Sequence, residues 1–369
     1  MSEEKTDPYA RLQDRLAKTA DEARPDAVAK RRARNGRTAR ENLADLTDGT
    51  AVSEYGQLAV AAQRTRREGD ALFAETAADA VITAIGPVNA DLFASADSQT
   101  ALIINDYTVL AGTQGYFHHR KIDRLLGLAA EGGLPIVMYT EGGGGRPGDT
   151  DVLVSMAGLN VPTFHRWAAL AGKVPRIAVN HGYCFAGNAA LFGAADLRIA
   201  TEASCIGMAG PAMIEGGGLG AWKPEQIGPV SVHRENGVID IVVSDEAEAV
   251  RVAKQALACV QGPLSDWECS DQEKLAELMP SNRRYTYDVR KVLNQVLDKD
   301  SFIETRPDAL DDDWLRRFRL WGVTRVQLGM QHVDNAILKK INRGHTLEQG
   351  LWAMQYLKDN CFKIDIHIM

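Results

Sequence analysis

The 369-residue chain is 45% hydrophobic and 25% charged, ordinary globular usage that permits a large core without disulfide or metal staples. A formal net charge of -7 argues against a dedicated nucleic-acid or anionic-membrane binder, while leaving room for a local basic patch. The five cysteines (Cys184, Cys205, Cys259, Cys269, Cys361) form no CxxC or CxxxCxxC pair, so spacing gives no zinc or iron–sulfur site, and reduced thiols in a cytoplasmic protein are expected.

The N-terminal stretch MSEEKTDPYARLQDRLAK is polar and lacks the apolar centre of a signal peptide. No apolar run approaches the ~20 residues of a membrane span. Residues 1–50 read as an N-terminal helical arm. Within it the basic run Lys30-Arg31-Arg32-Ala33-Arg34-Asn35-Gly36-Arg37 reads as a solvated helix face among acidic neighbours, with a phosphate or RNA contact as the alternative. From about residue 80 the pattern changes. Residues 80–85 and 101–107 are apolar stretches that predict strands. His118 to Ala130 carries Ile122, Leu125, Leu126 and Ala129 at helical spacing. A buried strand over 134–139, a helix over 164–171, a strand over 174–180, a small-residue helix over 187–192 and a strand over 197–200 follow. Strand, helix, strand, glycine loop, helix is the alternation of an α/β layered fold, with helices covering a largely parallel sheet.

Two glycine loops interrupt this pattern. The first runs Thr140-Glu141-Gly142-Gly143-Gly144-Gly145-Arg146-Pro147-Gly148-Asp149-Thr150, and the second runs from His181 to Ala190. Each follows an apolar strand, and the second opens a helix. Glycine lets backbone N–H groups face a bound atom without a Cβ in the way, and a helix start adds unpaired N–H groups. Two such loops side by side can hold one carbonyl oxygen as it becomes an oxyanion, where each donor is worth on the order of 3–4 kcal/mol. Gly143, Gly145 and Gly148 also fit GxGxxG, but Pro147 sits inside the motif and no strand-end acid follows about 20 residues on. No Ser-His-Asp or GxSxG pattern is present, and His118, His119, His165, His181 and His233 are scattered.

At these loops the chain resembles the carboxyltransferase (beta) subunit of biotin-dependent acyl-CoA carboxylases. The likeness runs in order through Thr38–Leu46, Asp106–Gly115, Glu141–Asp151, Gly182–Ala190, Ile206–Gly218 and Tyr285–Leu293, covering about residues 38–303. It implies a crotonase (ClpP/enoyl-CoA hydratase)-like layered βαβ superhelix. It also implies transfer of a carboxyl group from carboxybiotin, carried on a partner domain, to the α-carbon of an acyl-CoA. On the matching positions, Gly143 and Gly144 would line one side of the oxyanion site, with Gly187 and Asn188 donating at the helix start. Arg146, Ala186, Met208, Gly210 and Pro211 would line the substrate site. Arg120 and Lys121 are candidates for the CoA phosphates, and equally ordinary surface charges. Asn188 stands where the family more often has glycine, and Arg146-Pro147-Gly148 where it more often has Arg-Ile-Gln. The implied partners are acyl-CoA, the biotin carboxyl carrier and biotin carboxylase components, and further copies of the chain.

The family's second, biotin-binding crotonase domain is not in this sequence. Residues about 302–369, with strands expected over 324–330 and 363–369, resemble a piece of the radical-SAM barrel of the Elongator-type tRNA acetyltransferase family, a partial βα-barrel-like fragment. The cluster motif CxxxCxxC is absent, so no iron–sulfur cluster is expected in this chain. The sequence therefore divides into the arm (1–50), a carboxyltransferase N-domain (51–300) and the fragment (301–369), joined near Arg306-Pro307-Asp308 as if two genes had met. Two other functions stay open. A crotonase-fold hydratase or decarboxylase would need Glu141, Asp149 or Glu215 as its acid or base. A tRNA-linked radical-SAM fragment would need iron and RNA binding.

Overall fold

The structure is a computed structural model, and it describes residues 7–152, 161–263, 271–282, 287–296, 315, 318, 325–341, 345–360 and 362–368. The chain forms two compact units, Met1–Gly262 and Pro263–Met369. The Arg-Pro-Asp join and the first two residues of the Tyr285–Leu293 segment lie outside the described residues.

In the first unit, helices α1 (Pro8–Ala17), α2 (Pro25–Arg32) and α3 (Ala39–Leu46) precede a short strand β1 (Ser53–Glu54) and helix α4 (Gly69–Glu75). Strands β2 (Val81–Pro87) and β3 (Gln99–Asn105) lead into the long helix α5 (Tyr116–Gly132), then β4 (Ile136–Tyr139), α6 (Thr163–Ala169) and β5 (Arg176–Asn180). Next come β6 (Tyr183–Phe185), α7 (Gly187–Gly193), β7 (Leu197–Thr201), β8 (Cys205–Gly207), α8 (Pro211–Gly216), α9 (Val230–Asn236), β9 (Ile241–Val243) and α10 (Glu246–Ala258). Seven strands form one sheet in the order β1-β2-β3-β4-β5-β7-β9. The two pairs at the β1 end are antiparallel and the other four are parallel. The small parallel pair β6·β8 stands apart from that sheet.

The alternation of side chains along each strand makes the layers. Leu102, Ile104, Val137 and Tyr139 face α3 and α10, through Leu43, Leu46, Ala249 and Leu257. Their neighbours Ala101, Ile103, Ile136 and Met138 face the other way, onto Ile122, Leu125 and Leu126 of α5 and Trp167 of α6. Local signals set the helix ends. Thr38 and Glu41 form a capping box on α3, Gly133 closes α5 in the left-handed conformation, and Asp245 caps α10. Helix α3 thus belongs to the core of this unit, with Leu46 fully buried.

In the second unit, strands β10 (Arg325–Gln331) and β11 (Lys363–Ile368) pair in parallel. The helices Asn335–Lys340 and Leu347–Asp359 lie between them in the chain, and Leu328, Met330, Ala353 and Leu357 form the centre of the core. This is a single βαβ step.

Candidate functional site

The two glycine loops leave the carboxyl ends of β4 and β5, where ligands bind in open parallel sheets. Backbone hydrogen bonds join them directly. Gly142 donates to the Tyr183 carbonyl (2.7 Å), and Phe185 donates to the Gly142 carbonyl (2.9 Å). On its other side the first loop pairs with the segment after β3, where Gln114 donates to Gly144 (2.8 Å) and Arg146 donates to Gln114 (2.8 Å). Gly144 has φ +87, and a Cβ there would sit 2.7 Å from the Ala186 Cβ. Only glycine fits both the conformation and the approach. Ala186 itself, at the start of α7, holds φ 51 and ψ -120, a strained conformation for a residue with a Cβ.

Asn188 is fully buried and fastens this junction with its side chain. Its Oδ1 accepts from the Gly144 N–H (3.0 Å), and its Nδ2 donates to the carbonyls of Thr140 (3.0 Å) and Gly112 (3.4 Å). The Gly144 N–H is therefore occupied, so of the two glycines expected to line one side of the site, Gly144 has no amide to offer an oxyanion. Among the described residues, the N–H groups of Gly143, Gly187 and Asn188 have no acceptor within the chain. Gly143 lies in the first loop and Gly187 at the start of α7, on either side of the Gly144–Ala186 contact.

Two other expected contacts are taken up by the fold. The Arg146 guanidinium donates to Asp149 (2.8 Å), to Asp79 and to the Thr113 carbonyl (3.2 Å), and the residue is 7% exposed. Arg146 therefore holds the loop and does not face a substrate. Burial pushes Asp149 up, but the hydrogen bond and charge of Arg146 outweigh it and hold the carboxyl below its ordinary range. Asp79 is fully buried and accepts from the His118 N–H (2.6 Å). Burial raises its pKa against the pull of Arg146. Lys121 is likewise buried, with its ammonium on the carbonyls of Ala78 (2.7 Å) and Val81. Burial lowers its pKa to about 8, and it cannot reach a CoA phosphate from there. Arg120 is exposed, and among the described residues the Tyr116 hydroxyl (3.1 Å) and ring hold it. Met208 is exposed, while Gly210 and Pro211 at the start of α8 lie half-buried. A Cβ on Gly210 would touch the Phe185 ring at 3.5 Å, which places this segment beside the second loop.

The basic run is not a solvated face throughout. The Arg31 side chain is 9% exposed and pairs with Glu141 (2.6 Å) and Glu246 (3.2 Å). Glu246 in turn accepts from Asn42 (2.8 Å) and the Arg37 N–H (2.6 Å). Burial drives the Glu141 pKa up to about 7 despite Arg31. Beside this network a cleft of about 570 Å³ opens between α2 and the strand ends, lined by Lys30, Arg34, Tyr107, His181, Tyr183 and Glu225 among others. The three carboxylates that a hydratase would draw on are thus an ion-paired Glu141, an ion-paired Asp149 and an exposed Glu215. The sequence reading missed Arg31, Asp79 and Glu246. Nothing local marks them, since the Arg31 partners lie 110 and 215 residues away. Among the described residues, no group of three or more His, Cys, Asp or Glu gathers as metal ligands, and no helix is long and apolar enough to cross a membrane.

Comparison with known proteins matches residues 30–309 to the carboxyl transferase domain and residues 266–369 to the radical SAM superfamily. The methylcrotonoyl-CoA carboxylase beta chain of Dictyostelium discoideum is 26% identical over 277 residues, covering 72% of this chain and 45% of that one. A single-chain, multi-domain long-chain acyl-CoA carboxylase of known structure is 50% identical with a TM-score of 0.69, over 80% of this chain and 29% of that one. The tRNA uridine(34) acetyltransferase of Methanocaldococcus infernus is 43% identical over 67 residues, 18% of this chain and 12% of its own. The chain spans about half the length of the carboxylase beta chains it matches. These likenesses bear out the crotonase-like α/β fold.

Proposed function

The chain belongs to the carboxyl transferase domain family, and from that premise we propose that its first unit is the acyl-CoA-binding half of a biotin-dependent acyl-CoA carboxyltransferase. The observation that carries this reading is the pair of unpaired amides at Gly143 and Gly187, presented by loops that are hydrogen-bonded to one another. A thioester oxygen between them gains two donors, and more from each as an enolate forms and negative charge collects on it. No side-chain base need stand at the α-carbon, which suits a site whose nearby carboxylates are ion-paired.

Carboxybiotin on a partner carrier domain would supply the carboxyl group. What the chain's own residues do is hold the thioester, with Ala186, Met208, Gly210 and Pro211 bordering the acyl group and Arg120 as an exposed cation for the CoA phosphates. In this reading the carboxyltransferase half is carried in the cytoplasm in more than one copy, with the carrier and biotin carboxylase components as partners. Isothermal titration of the whole chain with acyl-CoA tests it. Micromolar binding without carboxyl transfer by the isolated chain is the expected result, and no binding of any acyl-CoA rejects it. Arg120→Ala is expected to weaken CoA thioesters several-fold at low salt and leave the corresponding acyl-pantetheine unaffected.

A further inference from the structure

Gln114 stands between the two glycine loops. Its main chain is bonded to the first loop on both sides, through Gly144 and Arg146 (2.8 Å each). Its side chain crosses to the second, where a Cβ on Gly187 would overlap Gln114 Oε1. The residue is only 1% exposed. Yet its carboxamide makes no hydrogen bond. Among the described residues, the buried Nε2 finds no acceptor and no donor reaches Oε1. Buried amides are nearly always satisfied, so one left open against a helix start with free N–H groups marks a place for a ligand atom.

We propose that Gln114 is a substrate-binding group of this site, its carboxamide donating to the thioester oxygen beside the amides of Gly143 and Gly187. The inference rests on the acyl-CoA reading above. Because neither end of the carboxamide has a partner, the planar group can turn over without breaking a bond, which places the NH₂ end where Oε1 now touches Gly187. An oxygen gaining negative charge there selects the donor end. The backbone ties to Gly144 and Arg146 fix the residue at the base of its side chain, so the donor arrives preorganised.

Two probes separate the readings. Butyryl-CoA presents the thioester oxygen. S-butyl-CoA has the same chain with that oxygen replaced by hydrogens. Wild-type protein is expected to bind butyryl-CoA more tightly. Gln114→Leu, with circular dichroism and melting unchanged, is expected to weaken butyryl-CoA about tenfold and leave S-butyl-CoA within twofold, on the scale of one hydrogen bond. Gln114→Met, unbranched like glutamine, repeats the measurement should leucine disturb the loop. Equal weakening of both ligands would mean that Gln114 only packs, and no weakening of either would mean it is idle; each overturns the proposal. If the wild type binds neither probe, the acyl-CoA reading itself has failed, and the Gln114 assignment falls with it.

Discussion

Asn188 makes three buried hydrogen bonds with one carboxamide, and Asn188→Ala would leave the Gly144 N–H and the Thr140 and Gly112 carbonyls without them. A loss of roughly 2–4 kcal/mol follows, together with weaker acyl-CoA binding, because the loops are no longer fastened. Urea unfolding and calorimetric titration measure the two effects; affinity unchanged in the destabilised protein would show that the clamp and the ligand site are separate. Lys121 gives the opposite pairing. Lys121→Met strips two carbonyls of their donor and is expected to cost roughly 1–3 kcal/mol while acyl-CoA affinity holds. A large drop in CoA affinity alone would restore the phosphate role that its burial argues against. Glu141 links the site to pH. Burial raises its folded-state pKa to about 7, so the native chain holds that proton more tightly than the unfolded chain does. Its contribution to stability is full below the ordinary carboxylate value and is lost as pH rises through 7, an effect of roughly 3 kcal/mol. The difference in stability between the wild type and Glu141→Gln, followed by urea melts from pH 4 to pH 8, is expected to change with pH in that sense, and parallel curves would refute it.

At the scale of elements, backbone strain gathers just before β2. Ala78, Asp79 and Ala80 hold φ of 49, 48 and 62, three successive left-handed residues without a glycine among them. Such a turn persists only where its surroundings over-determine it. Here Arg146, the His118 N–H and the Lys121 ammonium all grip it, which couples the turn to the first glycine loop and to α5. Asp79→Ala leaves Arg146 with Asp149 as its carboxylate partner and is expected to destabilise by about 3–5 kcal/mol, the usual result of breaking a buried pair. Hydrogen exchange should then quicken at residues 142–148 ahead of β3 and β4, and uniform exchange would break the link. The regular elements were legible in the sequence because the apolar spacing is local. The strand expected over 174–180 is β5 at Arg176–Asn180, and the helix expected over 187–192 is α7 at Gly187–Gly193. The three-residue strands β6 and β8 were not legible, since each exists only as a partner of the other.

In the whole molecule the two units carry cores of their own. The second unit holds a two-stranded parallel sheet packed against the helix Leu347–Asp359, and so small a sheet depends heavily on its few apolar contacts. Leu328→Ala empties a fully buried position and is expected to cost roughly 2–5 kcal/mol, loosening β10 and β11 in hydrogen exchange while acyl-CoA binding by the first unit is unchanged. A matching loss of acyl-CoA affinity would show that the units act together. By itself the sequence determined the layered α/β pattern, the two glycine loops and the family, because hydropathy spacing and the freedom of glycine act over a few residues. It could not decide which charges are sheltered or which amides are free. Arg31 and Arg34 stand three apart in one basic run and both border the cleft, yet the Arg31 side chain is sheltered between two carboxylates while Arg34 is exposed. Gly143 and Gly144 are neighbours in one loop, yet Asn188 takes the N–H of only the second. Those differences arise when distant segments of the chain meet, since burial and hydrogen bonding are set by neighbours in space.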